Sequence, residues 1–242
     1  MTLVRCSHEH GITTLTLDSP HNRNALSSRL VAELQERLAE AAEDARTRAV
    51  LLTHIGNTFC SGADLRETGT DGPQSLVRLM RAVVELSKPV VARVDGHARA
   101  GGLGLLGSCD ISVAGEGATF AFTEARLGLA PAVISLPLLP RLDARAATRY
   151  YLTGERFGAA EAVRIGLVTA GEQELDAILD GLRRGSPQGL AESKALTTAG
   201  VRRAFDRDAD ALAGLSARLF ASAEAREGMT AFLERREPVW AR

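Results

Sequence analysis

The chain has 242 residues, 45% of them hydrophobic, enough for one large domain or a domain with an appendage. Its 29 basic and 30 acidic residues balance, so no field points to nucleic acid or to an anionic membrane surface. Cys6, Cys60 and Cys109 form no CxxC pair, which predicts a reducing compartment and small buried hydrophobes rather than disulfides or a zinc site. The opening residues MTLVRCSHEHGITTLTLD break their apolar positions with Arg, His and Glu, unlike a signal peptide. The most apolar stretch, 127–140, is short and holds three prolines, which argues against a membrane span. Together these features predict a cytoplasmic protein.

Gly11 to Leu17 alternates apolar and β-branched residues and predicts a strand. After the polar loop 18–24, Ser27 or Ser28 can cap a helix to about Arg46 that carries Leu30, Leu34 and Leu38 on one face. Ala49 to Thr53 is a second strand, and Pro73 to Leu86 a helix with Leu76, Leu79, Met80 and Val83 turned inward. Pro89 to Val94 reads as a buried strand that enters a glycine-dense turn, with a buried helix from Leu103. Ile111 to Ala114 and Thr119 to Thr123 are β-like. Beyond the proline-rich loop 131–140 only helices follow, at 141–151, 159–166, 174–184, 190–199 and 205–235. Strands with helices first and helices alone last predict an α/β core with a helical C-terminal layer. No fixed-period repeat is visible.

The chain is organised around Lys88 to Asp110, KPVVARVDGHARAGGLGLLGSCD. Glycines between a strand and a helix let backbone approach a ligand closely, and the helix start offers unpaired N–H groups and a positive dipole end. Those are the parts of an anion or oxyanion site.

Pro20-x-x-x-Asn24-Ala-Leu26, Phe59-Cys-Ser-Gly-Ala-Asp-Leu65, Lys88-Pro-Val-Val-Ala-Arg-Val-Asp-Gly96, Ala100-Gly-Gly102 and Cys109-Asp110 resemble the enoyl-CoA hydratase/isomerase (crotonase) family. So do Phe122-Thr-Glu124, Leu127-Gly128, Tyr151-Leu-Thr-Gly154, Ile165-Gly-Leu-Val168 and Glu227-Gly-Met229, in the family's order over nearly the whole chain. The resemblance implies an α/β spiral of ββα repeats over 1–185 and a helical region over 186–242, one functional unit, the latter used in assembling a homotrimer or a dimer of trimers. It implies an acyl-CoA thioester as substrate and no metal or redox cofactor. By position, the N–H groups of Ala63 and Gly101 form the oxyanion hole and Glu124 is the acid/base. Arg23, Ala25, Ala63, Asp64, Leu65, Arg66, Gly101 and Ala132 are the implied substrate and CoA contacts.

Two departures bear on the reaction. Hydratases with two catalytic glutamates carry the first two residues after their triple glycine, and the matching position is Gly104. The loop Gly128 to Ser135 also lacks the usual PGxGG run. Both departures are similar to bacterial methylglutaconyl-CoA hydratase-like members, which makes hydration of a short or branched 2-enoyl-CoA the first reading. A single glutamate also suits Δ3-Δ2-enoyl-CoA isomerisation, the second reading. An acyl-CoA-binding homologue without turnover is the third.

Plainer readings stand beside these. Gly102-x-Gly104-x-x-Gly107 spells a dinucleotide fingerprint, but it lies far from the preceding strand and outside a first βα turn. Glu124 could be a structural carboxylate paired to Arg126 or Arg149. Asp64 suits loop hydrogen bonding, and His97 pocket packing. His8, His10, His21 and His54 read as surface or loop residues. Lys194, Arg235 and Arg236 could reach a CoA phosphate.

Overall fold

The computed structural model describes residues 2–64, 66, 67 and 72–241. Strands β1 (Val4–Glu9) and β2 (Ile12–Leu17) pair antiparallel across His10-Gly11, whose φ angles are both positive, 48° and 82°. That is the backbone of a tight two-residue hairpin, whose twist matches its strands. Sequence patterning misses β1 because every residue in it except Val4 is exposed, so no apolar alternation marks it. Helix α1 (Ser28–Glu43) starts at Ser27, whose hydroxyl accepts the Leu30 N–H at 3.3 Å, and buries Leu30, Val31, Leu34, Leu38 and Ala41.

From there the chain repeats one path. A longer strand is laid into a large sheet, a short strand into a small one, and a helix then leads back. The longer strands are β3 (Ala49–His54), β5 (Val90–Val94) and β7 (Ile111–Ala114). The short ones are β4 (Thr58–Cys60), β6 (His97–Arg99) and β8 (Thr119–Ala121). Helices α2 (Gly72–Glu85) and α3 (Gly101–Ser108) close the first two units. With β9 (Phe157–Gly158) and β10 (Ala170–Gly171), the sheets are ordered β1-β2-β3-β5-β7-β10 and β4-β6-β8-β9. Strands β2, β3, β5, β7 and β10 run parallel, as do β4, β6 and β8. This is the expected spiral of ββα units. Its core includes Leu15, Leu17, Leu52, Phe59, Leu103, Phe120 and Phe122, all fully buried. Each such side chain contributes about 1.5–3 kcal/mol relative to exposure.

The remainder is helical: α4 (Ser135–Leu138), α5 (Ala144–Thr153), α6 (Ala159–Arg164), α7 (Leu175–Arg184), α8 (Pro187–Thr197), α9 (Ala199–Phe220) and α10 (Ala223–Glu234). The single helix expected over 205–235 is two, because the Ser222 hydroxyl accepts the Ala225 N–H at 3.1 Å and starts α10 afresh. Helix α9 packs on α2 and α4. Lys194 does not face a phosphate. Its ammonium is buried, donating to Val83 O at 2.8 Å and Lys88 O at 3.1 Å and pairing with Asp110 at 2.8 Å. Arg236 is likewise held within the chain, by Glu227 and Glu234. Cys60 and Cys109 are buried, with thiols pushed up to about 12 by burial, whereas Cys6 is exposed on β1. Among the described residues no helix is long and apolar enough to cross a membrane.

Candidate active site

Three segments converge because each follows the C-terminal end of a strand in the small parallel sheet. Ala63 lies three residues beyond β4, Gly101 two beyond β6 and Glu124 three beyond β8. The C-terminal edge of a parallel sheet is where open α/β folds bind ligands. Ser61 N donates to Arg23 O at 3.1 Å, Leu26 N donates to Gly62 O at 2.8 Å, and Leu26 bridges to Ala63. Residues 23–26 are thereby stitched to the loop after β4. The buried Asn24 side chain latches this join, accepting Ser19 N at 2.7 Å and donating to Ile55 O at 3.1 Å and Thr58 O at 2.7 Å. Sequence reading gave Asn24 no role, although its place in the Asn-Ala-Leu motif was the available signal.

The backbones carrying Ala63 and Gly101 run side by side. A methyl added to Gly62 would stand 2.9 Å from Ala100 Cβ and 3.2 Å from Gly101 N. Gly101 is the first residue of α3, so its N–H is one of the helix's unpaired donors. Among the described residues neither the Ala63 nor the Gly101 N–H binds a loop or side-chain acceptor. Ala100 sits at φ 46° and ψ −123°, a conformation that favours glycine. We therefore expect Ala100→Gly to stabilise the fold by about 1 kcal/mol, the relieved strain exceeding the added freedom of the unfolded chain. A lower denaturation midpoint for that variant would count against strain at Ala100.

Glu124 opens a short 3-10 turn (Glu124–Leu127) and is 7% exposed. It pairs with neither arginine named above: Arg126 donates to Thr153 O at 2.9 Å, and Arg149 pairs with Glu155. Its Oε2 is buried without a hydrogen-bond partner among the described residues. Burial pushes its carboxyl up to about 7, partly opposed by its own N–H. The turn is set from behind by the C-terminal tail. A methyl at Gly128 would stand 2.6 Å from Glu224 C, and one at Gly228 would stand 2.5 Å from Leu127 O. Thus the Leu127-Gly128 and Glu227-Gly228 motifs exist because α10 packs backbone to backbone on the Glu124 turn.

A family model for enoyl-CoA hydratase/isomerase matches residues 7–242. The chain belongs to the enoyl-CoA hydratase/isomerase family. It is similar to the crystal structure of an enoyl-CoA hydratase from Mycobacterium avium, at 55% identity over 99% of each chain with a TM-score of 0.94. Among curated relatives, the mevalonyl-coenzyme A hydratase of Aspergillus fumigatus is 32% identical over 95% of this chain and 91% of its own. The human enoyl-CoA hydratase domain-containing protein 2, mitochondrial, is 32% identical over 95% of this chain and 85% of its own.

Within this enoyl-CoA hydratase/isomerase fold, Gly104 is closely surrounded by side chains. A methyl there would meet Ile134 Cγ2 at 2.6 Å and Met80 Sδ at 2.8 Å, so these apolar side chains would have to shift to admit one. Gly104→Ala is expected to destabilise by about 1–3 kcal/mol through overpacking, read from the denaturation midpoint. An unchanged midpoint would show the space to be open. Gly102 has a related reason, since its Cβ would stand 2.5 Å from Cys60 O. The GxGxxG spacing therefore serves helix–sheet and helix–loop packing.

Of the other residues singled out from sequence, Arg23, Ala25 and Asp64 lie in the stitched segments at this edge, whereas His97 begins β6 and His54 belongs to the large sheet. Arg23 is exposed with φ 58°, Ala25 is buried, and Ala132 is buried in the loop that delivers Ile134 to Gly104. Asp64 accepts Arg66 N at 3.1 Å, binds its guanidinium at 2.8 Å, and accepts Asn22 Nδ2 at 3.4 Å. The Arg66 guanidinium holds the Asp64 carboxyl below the usual carboxylate range. Leu65 lies outside the described residues. His97 is tied to Thr119 Oγ1 at 2.9 Å on the small sheet. His54 is not a loop residue: it ends β3, half-buried, and its Nε2 accepts Asp95 N at 3.1 Å. An open cleft of about 840 Å³ lined by Arg93, Asp95, Glu116 and Glu172 contains none of Ala63, Gly101 or Glu124.

Proposed function

We propose that the protein hydrates a short or branched 2-enoyl-CoA thioester, with Glu124 as its single acid/base. The observation that carries this reading is a buried, unpartnered carboxylate shifted to about 7, on the sheet edge that also bears two adjacent backbones with open N–H groups. The family membership and the hydratase names of its relatives support it. In the reaction, the Glu124 carboxylate takes a proton from water as the water oxygen bonds to the β-carbon. The C=C electrons move onto the thioester as an enolate, whose oxygen the Ala63 and Gly101 N–H groups hold. Glu124 then returns a proton to the α-carbon. A pKa near ambient pH suits a group that must both take and give a proton. Loss of one oxyanion donor typically costs about a hundred- to a thousandfold in rate.

In this reading Arg23 and Arg66 face the CoA phosphates, Ala25, Ala63 and Asp64 line the thioester arm, and Ala132 borders the acyl chain. Residues 1–185 and 186–242 act as one unit that assembles as a homotrimer or a dimer of trimers. The exposed apolar Leu196, Phe232, Leu233 and Val239 in the C-terminal part support such an interface. Isomerisation of a 3-enoyl thioester is the second reading, favoured by the apolar filling at Gly104, because proton transfer from C2 to C4 needs only one carboxylate.

A mixed panel of 2-enoyl and 3-enoyl thioesters in heavy-oxygen water, read by mass spectrometry, separates these. Heavy oxygen entering a 2-enoyl substrate is the expected result. Conversion of 3-enoyl to 2-enoyl chains with no oxygen gained would replace hydration by isomerisation. Binding without any turnover would leave a CoA-binding homologue.

A further inference from the structure

If Gly104 supplies no second polar group, the attacking water needs another partner besides Glu124. Among the described residues, the buried polar side-chain atoms without a hydrogen-bond partner include two in one neighbourhood: Glu124 Oε2 and the Tyr151 hydroxyl. Tyr151 lies on α5, and its ring packs on that of Phe122, two residues before Glu124, with ring centroids 4.6 Å apart. Arg126, on the Glu124 turn, donates to Thr153 O at 2.9 Å and ties the turn to the end of the same helix. Burial raises the Tyr151 phenol, and the nearby Glu124 charge raises it further, so the hydroxyl keeps its proton and remains a donor. Ser135 Oγ lies close enough to act on the phenol and donates its own proton to Pro131 O at 2.6 Å, but among the described residues the Tyr151 hydroxyl has no hydrogen bond of good geometry.

Leaving a buried hydroxyl unpaired is costly, and such groups are ordinarily satisfied by water. We infer that the Tyr151 hydroxyl and Glu124 Oε2 share one water, and that this water is the one added to the substrate. The inference rests on the hydratase reading and deepens it: Tyr151 takes over water placement where Gly104 carries no side chain. Tyr151 orients and gives up no proton. Glu124 removes the water proton and later delivers it to the α-carbon, so the atoms balance as in the simple hydration.

The test is Tyr151→Phe, which keeps the ring and removes one oxygen. Hydration kcat is expected to fall about 10- to 100-fold with KM little changed, as for a misplaced reactant. The acid limb of the pH–rate profile is expected to move to higher pH, because the water that donates to the carboxylate is no longer held in place and supports its charged form less well. The melting temperature is expected to change little, since the hydroxyl's proposed partner is a single water rather than a group of the fold. A structural role alone would lower the melting temperature and leave the pH profile in place. Wild-type hydration with an unchanged kcat and acid limb in Tyr151→Phe would overturn this inference and leave the hydratase reading intact. A wild-type enzyme that hydrates no 2-enoyl thioester would overturn both.

Discussion

Glu124→Gln is expected to lower turnover by about 10²- to 10⁴-fold while leaving thioester binding nearly unchanged. The substitution keeps the shape of the side chain and removes its ability to carry a proton. The same change should alter stability with a definite sign. Burial raises the Glu124 carboxyl from 4.5 to about 7, so between those values the folded state binds more protons than the unfolded state. Stability from this group is then fully present below about 4.5 and is lost as pH rises through about 7. Glutamine has no charge to desolvate. Glu124→Gln should therefore be more stable than the wild type at pH 8, and the difference should shrink towards pH 4. Measured kcat and denaturation midpoints across that range check both parts. A variant that keeps wild-type turnover would remove Glu124 from the chemistry, and one destabilised at pH 8 would mean that the carboxylate is satisfied in the fold.

Lys194→Met is expected to have the largest effect on stability, about 3–5 kcal/mol. The Lys194 ammonium closes a buried cluster of Asp110, Val83 O and Lys88 O, and its removal leaves Asp110 without its bonded cation. Among the described residues Asp110 Oδ1 already has no hydrogen-bond partner. Burial raises the Asp110 carboxyl even with Lys194 opposing it, so the variant's Asp110 should rise further and take up a proton. The deficit of Lys194→Met should consequently be largest above neutral pH and shrink as pH falls. Adding Asp110→Asn should restore most of the loss, because the uncompensated charge is then gone. Denaturant titrations of the two variants test this, and a Lys194→Met midpoint equal to wild type would contradict a structural role. Turnover per folded molecule should not change in either variant, since the cluster lies apart from the Glu124 turn.

Much of this was legible in the sequence because the relevant patterns are local. The periodicity of α1 and α2, the apolar run of β5 and the glycine turn at 100–102 each report on a few adjacent residues. The Ala63, Gly101 and Glu124 segments carry motifs of their own, and the structure gathers them on one sheet edge. The ββα repeat was not legible by period, because β3, β5 and β7 begin at Ala49, Val90 and Ile111, at unequal spacing. Strands β4, β6 and β8 are three residues each, too short for an alternation to show. Non-local facts were invisible for a different reason. That Lys194 ends beside Asp110, that α10 presses on Gly128, and that Ile134 fills the space at Gly104 are packing results between distant segments. Tyr151 stood inside a recognisable Tyr-Leu-Thr-Gly motif, yet nothing in the motif says that its hydroxyl ends buried, unpartnered and within the field of Glu124.

The central claim is that burial poises Glu124 to exchange a proton near neutral pH. The direct measurement is the titration of that carboxyl, followed by infrared difference spectroscopy of the wild type against Glu124→Gln. A carboxylate band that grows in near pH 7, is absent from the variant and tracks the acid limb of turnover is the expected result. A Glu124 carboxyl that ionises near the unperturbed glutamate value of about 4.3 would contradict it.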